Sequence, residues 1–482
     1  EDGALKPSNG QDQKEDGESK PSSSQDQKAE AKSSAGSAKK ALFSSKAVVS
    51  GGKQITQNIL TGVELTDENG APYDQANRAS TNSPAKISIT WAIPDDLGKT
   101  INAGDRYEFD LPKEFIVHND ITNQPLSAGD TDFGTFSIDT SGHVVMTFND
   151  QVKVDSNVEG TLFVNTQFNQ QKITGATTQK IKFPVHSDTP EVTVYFKPNV
   201  SKTIDKSGTL DKGINPGSVT WTVDANKKLD RVTNAKLSEN FPAGLNFSSV
   251  KVYQLDVNID GSVSQGSEVT SGYSVDANGN VTFSGTIDSA YRLVYETVID
   301  NGAKPSEGGN VTLTNKASFS GDNLDASSAE ATVTAKYGKM LEKSSTGYNG
   351  DSQTFSWAIL YNYGEKQVDQ SKAIITDTFG SDDLHLVSDS LKVVPITFSQ
   401  GGGEQAGTPL QEGVDYTLTD NGSSFNIHFN KAVSGAYKIT YQTQVNSGVV
   451  IDQSTKYTNS AVTGTGESRE ASADYPAEGN KE

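Results

Sequence analysis

The 482-residue sequence contains no cysteine. That excludes disulfides, cysteine-ligated zinc, iron–sulfur sites and thiol nucleophiles. It leaves the compartment open, because exported and cytosolic chains can both lack cysteine. Positive charge is scarce relative to negative: 41 Lys and Arg stand against 61 Asp and Glu, a formal net charge of −20. Such an acid excess repels phosphate backbones and anionic headgroups, so neither nucleic acid nor an anionic membrane is an expected partner. No apolar run approaches the roughly 18–20 residues of a membrane span, and membrane insertion is not expected. The five His, at 118, 143, 186, 385 and 428, show no metal-ligand spacing. GxSxG, HExxH and P-loop motifs are missing, as is a carboxylate pair with a supporting motif. No metal, no cofactor and no turnover enzyme are therefore expected. No charged–apolar–small leader opens the sequence, so any export signal is expected to have been removed already.

Residues 1–42 lack aromatic and β-branched side chains, and a motif recurs as GQDQKEDGESKPS and SQDQKAEAKSS. Such a segment buries too little apolar surface to offset ordering entropy, so 1–46 reads as a disordered polar tail. Residues 1–40 hold seven Lys and eight acidic residues, so nearly all the negative charge belongs to the remainder.

From about residue 55, short runs rich in Val, Ile, Thr, Phe and Tyr alternate with polar residues. Gly, Asn and Asp turns punctuate them about every 8–12 residues. KISITWAI (86–93), HVVMTF (143–148), EVTVYF (191–196), NVTFSG (280–285), YRLVYETVI (291–299) and YKITYQTQV (437–445) are such runs. The alternation predicts antiparallel β-sandwiches, with hairpin turns at DANGN (276–280) and TDNGSS (419–424). No amphipathic helix longer than two turns is evident.

Three tryptophans mark a repeat: Trp91 in SITWAI, Trp221 in SVTWTV and Trp357 in TFSWAI, 130 and 136 residues apart. Each is followed, 19, 18 and 20 residues on, by an acid that opens a Phe-containing turn: Asp110, Glu239 and Asp377. One large aromatic per unit predicts three sandwiches with a Trp in each core. Their expected spans are 47–199, 200–336 and 337–474. A polar tail, 475–482, is expected to lead into further sequence, so that the chain is a fragment of a longer protein.

The second and third units share more. KTIDKSG (202–208) matches KMLEKSS (339–345), and TLTNKASFSG (312–321) matches KYTNSAVTGTG (456–466). This groups Lys206, Glu239 and Asn315 in one unit, and Lys343, Asp377 and Asn459 in the next. Lys-to-acid separations are 33 and 34, and acid-to-Asn separations 76 and 82. The expected placement is Lys on the first strand, Asn on the last beside it, and the acid on a neighbouring strand. In an apolar interior, desolvation favours a neutral amine and a protonated acid. The amine can then attack the Asn carboxamide with Glu239 or Asp377 as proton shuttle, expelling ammonia and leaving a Lys–Asn amide. The first unit has no matching Lys or Asn, and no bond is expected there.

These residues resemble the ligand-binding region of collagen-adhesin-like (MSCRAMM-type) surface proteins of Gram-positive bacteria. The first unit is similar to their N-terminal subdomain through VVMTFNDQVKVDSNVEGTLFV (144–164). The second and third are similar to the crosslinked subdomain through the Lys, WTV/WAI, acid-turn and TN elements. The resemblance implies an all-β chain of three tandem, variant immunoglobulin-like β-sandwiches with self-formed Lys–Asn isopeptide bonds. It implies an extracellular, cell-wall-anchored, monomeric adhesin and colonisation factor, although no LPxTG-type signal is present. The expected partner is a host extracellular-matrix protein, collagen first and fibrinogen next. A crosslinked stalk or pilus-like spacer, with adhesion elsewhere, is the alternative. Where collagen-binding members carry trench aromatics, the second unit has Asp205 and Thr222, and the connection VYFKPNVSKTIDK (194–206) is short. Tyr195, Phe196 and Tyr337, near the unit junctions, are candidates for a ligand groove. DVNIDG (256–261) resembles a calcium-loop start, but Ser267 stands where the twelfth-position Glu belongs, so an acidic hairpin turn is the expectation.

Overall fold

Alternation of apolar and polar residues leaves these segments little option but to pair as strands and bury one face. The computed structural model describes residues 51–186 and 190–476. The expected tail 1–46 and most of 475–482 lie outside them. Among the described residues, no α-helix exceeds four residues, and antiparallel strands form three sandwiches. HVVMTF coincides with the strand His143–Phe148, and YKITYQTQV falls within Ala436–Val445. DANGN and TDNGSS turn with Gly279 and Gly422 at φ of 82° and 90°.

The second sandwich packs two five-stranded sheets face to face. One runs in the order Asp205–Leu210, Ser218–Ala225, Ala290–Ile299, Leu245–Val257, Val263–Val269. The other runs Tyr273–Val275, Val281–Phe283, Lys236–Asn240, Gly309–Gly321, Leu324–Tyr337. The third repeats this plan with one strand added: Leu341–Asn349, Thr354–Tyr361, Ala436–Val445, Lys392–Phe398 and Glu404–Ala406, with Leu384–Leu386 also paired to Ala436–Val445, face Tyr416–Asp420, Ser424–Phe429, Ile374–Thr378, Thr455–Thr463 and Ser468–Tyr475. Its last strand runs through Tyr475, which is buried, so the polar tail begins later than expected. In the first sandwich, Leu60–Thr66, Pro84–Ile93 and Val158–Phe168 pair in one sheet, and Arg106–Asp110, His143–Phe148, Thr131–Ile138 and Ile121–Ala128 in another.

Each sandwich has its own apolar core, and Trp91, Trp221 and Trp357 are buried in them. Trp221 lies opposite Tyr295 and Trp357 opposite Tyr441 on the neighbouring strand. Their indole N–H groups donate to Thr297 and Thr443, two residues beyond each Tyr, at 3.2 and 2.9 Å. In the first sandwich Gly160 faces Trp91. Leu162 occupies the Thr position, and the Trp91 N–H has no hydrogen-bond partner.

The sandwiches join through hydrogen bonds, backbone to backbone at the first junction and through a side chain at the second. The acidic hairpin at 256–261 docks on the first sandwich: Ile259 N–H donates to the Gly175 carbonyl and Asn199 N–H to that of Ile259, at 2.8 and 2.7 Å. Asn215, at φ 52°, links the second sandwich to the third. Its Nδ2 donates to the Tyr363 carbonyl and to Glu365, both at 2.8 Å, and its Oδ1 accepts from Gly338 N–H at 2.9 Å.

Gly208 lies directly beside Trp221. A Cβ there would sit 2.5 Å from the indole and 2.8 Å from Val333. Overpacking of this kind costs about 1–3 kcal/mol. Gly208→Ala is therefore expected to lower the stability of the second sandwich by that amount, read from denaturant unfolding midpoints.

Candidate functional site

Register places the three groups of each triad. Lys206 lies opposite Val223, two residues past Trp221, and Lys343 opposite Ile359, two past Trp357. Side chains two apart share a face, so each Lys enters the core with its Trp. On the facing sheet Glu239 pairs with Ala317 and Asp377 with Ala461. Asn315 and Asn459, two residues earlier, thus share the inner face with their acids. Asn315 and Asn459 sit on the penultimate strands of their units, beside their acids on the sheet that faces the Lys strand. The expected placement on the last strand, side by side with Lys, is corrected: the last strands, Leu324–Tyr337 and Ser468–Tyr475, cover the Asn strands at the sheet edge.

The sites are dry. Side chains of Lys206, Glu239, Lys343 and Asp377 are all 0% exposed, and Asn315 and Asn459 are buried. Lys206 Nζ donates to Glu239 Oε1 at 2.8 Å. Lys343 Nζ donates to Asp377 Oδ2 at 2.6 Å and to the Tyr441 hydroxyl at 2.5 Å. Burial pushes both amines below their usual range and both carboxyls above theirs, against the pull of the ion pairs. Several polar atoms remain unpaired: Glu239 Oε2, both Asn315 amide atoms, Asp377 Oδ1 and Asn459 Oδ1. Asn315 and Asn459 lie against their acids, close enough to counter part of the burial effect. A buried polar atom without a partner costs about 1–3 kcal/mol.

The two sites differ at one tyrosine. Tyr441 donates to Asp377 Oδ2 at 2.7 Å and accepts from Asn459 Nδ2 at 2.9 Å. Tyr295 instead donates to the Gly279 carbonyl at 2.8 Å. These tyrosines were not singled out from sequence, although YRLVYET and YKITYQT repeat the pattern that places them. The acid of the first unit is not equivalent to the other two. Asp110 points outward, with its side chain 69% exposed and bonded to His143.

The junction candidates are packing residues. Phe196 is buried against Phe168. Tyr337 is buried and donates to the Pro216 carbonyl. Tyr195 is half-buried under Arg78. A cleft of about 650 Å³ nearby is lined by Ser80, Gln170, Lys197, Asn199, Ile259 and Asp260. Among the described residues no acidic or His cluster could hold a metal ion.

The model of the collagen binding domain matches residues 201–330 and 338–474, together more than half of the chain. The chain belongs to the collagen-binding-domain family. A bacterial Ig domain matches residues 80–179, within the first sandwich. Among solved structures, the serine-rich repeat protein Srr2 of Streptococcus agalactiae is 15% identical, covering 58% of this chain and 95% of its own, with a TM-score of 0.23. The collagen adhesin CNA of S. aureus is 15% identical, covering 59% and 96%, at 0.22. The MSCRAMM ACE of Enterococcus faecalis is 18% identical, covering 58% and 95%, at 0.21. No curated protein matches this family member.

Lys343→Met should expose the state of the buried acid. Without its cation the Asp377 carboxyl is raised further, so the folded state binds more protons than the unfolded one. Stability is then full below the unfolded value of 3.8 and is lost as pH rises through the folded value. Urea unfolding at a series of pH values should show the third sandwich losing up to about 1.4 kcal/mol per pH unit across that window.

Proposed function

We propose that this chain is the adhesive region of a bacterial surface protein, and that its second and third sandwiches each seal themselves with a Lys–Asn amide bond. One observation carries the second part: twice, a dry core brings together an amine, a carboxyl and a carboxamide whose remaining polar atoms lack partners. The neutral amine of Lys206 or Lys343 attacks Cγ of Asn315 or Asn459. The attacking nitrogen gives one proton to Glu239 or Asp377, the acid's own proton reaches the departing nitrogen, and ammonia leaves. Each acid ends protonated, as it began. Each site turns over once, on its own chain, so this is not an enzyme activity. Each bond closes a loop of about 110 residues. By analogy with disulfides that contributes about 4–5 kcal/mol in the chain-entropy model.

Membership of the collagen-binding-domain family supports collagen as the partner and the cell surface as the location; cell-wall anchoring and fibrinogen binding are finer readings of the same kind. We assign the adhesive surface to the first two sandwiches, where the junction cleft offers the polar side chains of Ser80, Gln170, Lys197 and Asn199 to an extended segment. The outer face around Asp205, 56% exposed and paired with Lys227, and Thr222 is polar. That polarity favours, as the second reading, a crosslinked stalk with adhesion elsewhere.

Intact mass of the purified chain is expected to fall short of the sequence mass by two ammonia molecules. Asp377→Ala should restore one of them and make the third sandwich easier to proteolyse; a full sequence mass for the parent chain would end the crosslink reading. Immobilised collagen should bind the chain saturably, and absence of binding to any matrix protein would leave the stalk.

A further inference from the structure

The Tyr441 hydroxyl touches every participant of the third site. It accepts from Lys343 Nζ at 2.5 Å and Asn459 Nδ2 at 2.9 Å, and donates to Asp377 Oδ2 at 2.7 Å. A phenol oxygen has two lone pairs and one proton, so these contacts use its full capacity. The residue is wholly buried and its ring is held edge-on by Phe425, with centroids 4.9 Å apart. In the second site the matching Tyr295 turns its hydroxyl to the Gly279 carbonyl, and the Asn315 carboxamide lies against Glu239 with no hydroxyl to hold it. The same frame therefore holds two chemistries: an acid alone in one sandwich, an acid with a phenol in the other.

We propose that Tyr441 is a catalytic residue of the third sandwich, carrying the proton that releases ammonia from Asn459. The inference rests on the Lys343–Asn459 bond proposed above. As Lys343 Nζ attacks Cγ, amide resonance is lost and Nδ2 gains a basic lone pair facing the hydroxyl. Tyr441 gives its proton to Nδ2 and takes the proton of Asp377; the Asp377 carboxylate takes one proton from the attacking nitrogen. The C–Nδ2 bond breaks and ammonia leaves. Tyr441 and Asp377 both finish neutral, and no further reactant is required. Before attack, the same hydroxyl fixes the carboxamide by its Nδ2, a restraint that Asn315 lacks.

The test follows both bonds in one chain. Full-length protein is made in a cell-free extract and quenched over time, at a pH and temperature where folding precedes bond formation. The Lys206–Asn315 and Lys343–Asn459 peptides are then quantified by mass. Tyr441→Phe is expected to slow the Lys343–Asn459 bond about a hundredfold, within the range of general-acid contributions, and to leave the Lys206–Asn315 bond unchanged. Tyr295→Phe should slow neither. The wild-type third bond should show a larger solvent deuterium effect than the Tyr441→Phe bond, because the hydroxyl adds a proton in flight, a change that a packing role would not produce. A third bond that forms at the parent rate in Tyr441→Phe overturns the proposal while leaving the crosslink reading intact. Absence of both linked peptides from the parent chain overturns that reading instead. Should Tyr441→Phe fail to fold by circular dichroism, a difluorotyrosine at 441 keeps the shape and changes the hydroxyl acidity. A third-bond rate altered several-fold then supports the relay, and an unaltered rate overturns it.

Discussion

A primary amine sealed beside a carboxyl in a core without water is a poor way to hold a protein together. Desolvation costs several kcal/mol per ion, and the attraction recovers it only when every remaining lone pair and proton is satisfied. At Lys206–Glu239 and Lys343–Asp377 they are not satisfied. The same desolvation that makes the pair a weak stabiliser lowers the affinity of each amine for its proton and raises that of each carboxyl, which favours the neutral amine and protonated acid that the proposed attack needs. Lys206 and Lys343 also lie over aromatic rings, with Nζ 5.5 Å from the Trp221 centroid and 5.4 Å from that of Trp357. The rings favour the ammonium form by a small amount. They also keep water out, and this second effect is the larger.

The first sandwich shows what the frame does without that chemistry. It keeps the Trp but replaces the facing Tyr with Gly160 and the indole's acceptor with Leu162. A Cβ on Gly160 would lie 2.7 Å from the Trp91 ring, so Trp91 fills the space the tyrosine takes in the other two. Its N–H is left without a partner. The acid after Trp91 faces outward to His143, so nothing in that core asks for a lysine.

Much of this was legible in the chain. Period-2 runs place the strands, since a half-buried strand has one side to hide and little other freedom. Twofold recurrence of Lys, acid and Asn at near-equal spacing identifies the triads. Sequence spacing does not say which sheet a strand joins, so it does not reveal that Asn315 and Asn459 lie on penultimate strands of the sheet facing Lys. Tyr295 and Tyr441 escaped for a different reason: aromatic residues in strands are common, and only the register opposite Trp shows that they face the sites. Sequence does not show that Phe196 and Tyr337 pack inward, because an aromatic near a boundary has the same composition whether it packs inward or meets a ligand.

The position of the triads across the sandwich, and not along one sheet, sets their mechanical consequence. Adjacent strands of one sheet already share a ladder of hydrogen bonds, so a bond between them would add little that must break before the sheets part. Lys206 and Asn315 belong to facing sheets held together mainly by apolar packing, with few polar bonds such as Lys206–Glu239 between them. With the proposed Lys206–Asn315 link in place, tension entering at the Lys206 strand would leave near Asn315 and bypass most of the intervening residues. Beyond Asn315 the load follows Leu324–Tyr337 to the polar junction around Asn215 and Gly338. It then meets Lys343 three residues into the next strand-forming segment. With the proposed Lys–Asn links in place, a pull along the chain would pass from one link to the next through the hydrogen-bonded junction between the sandwiches.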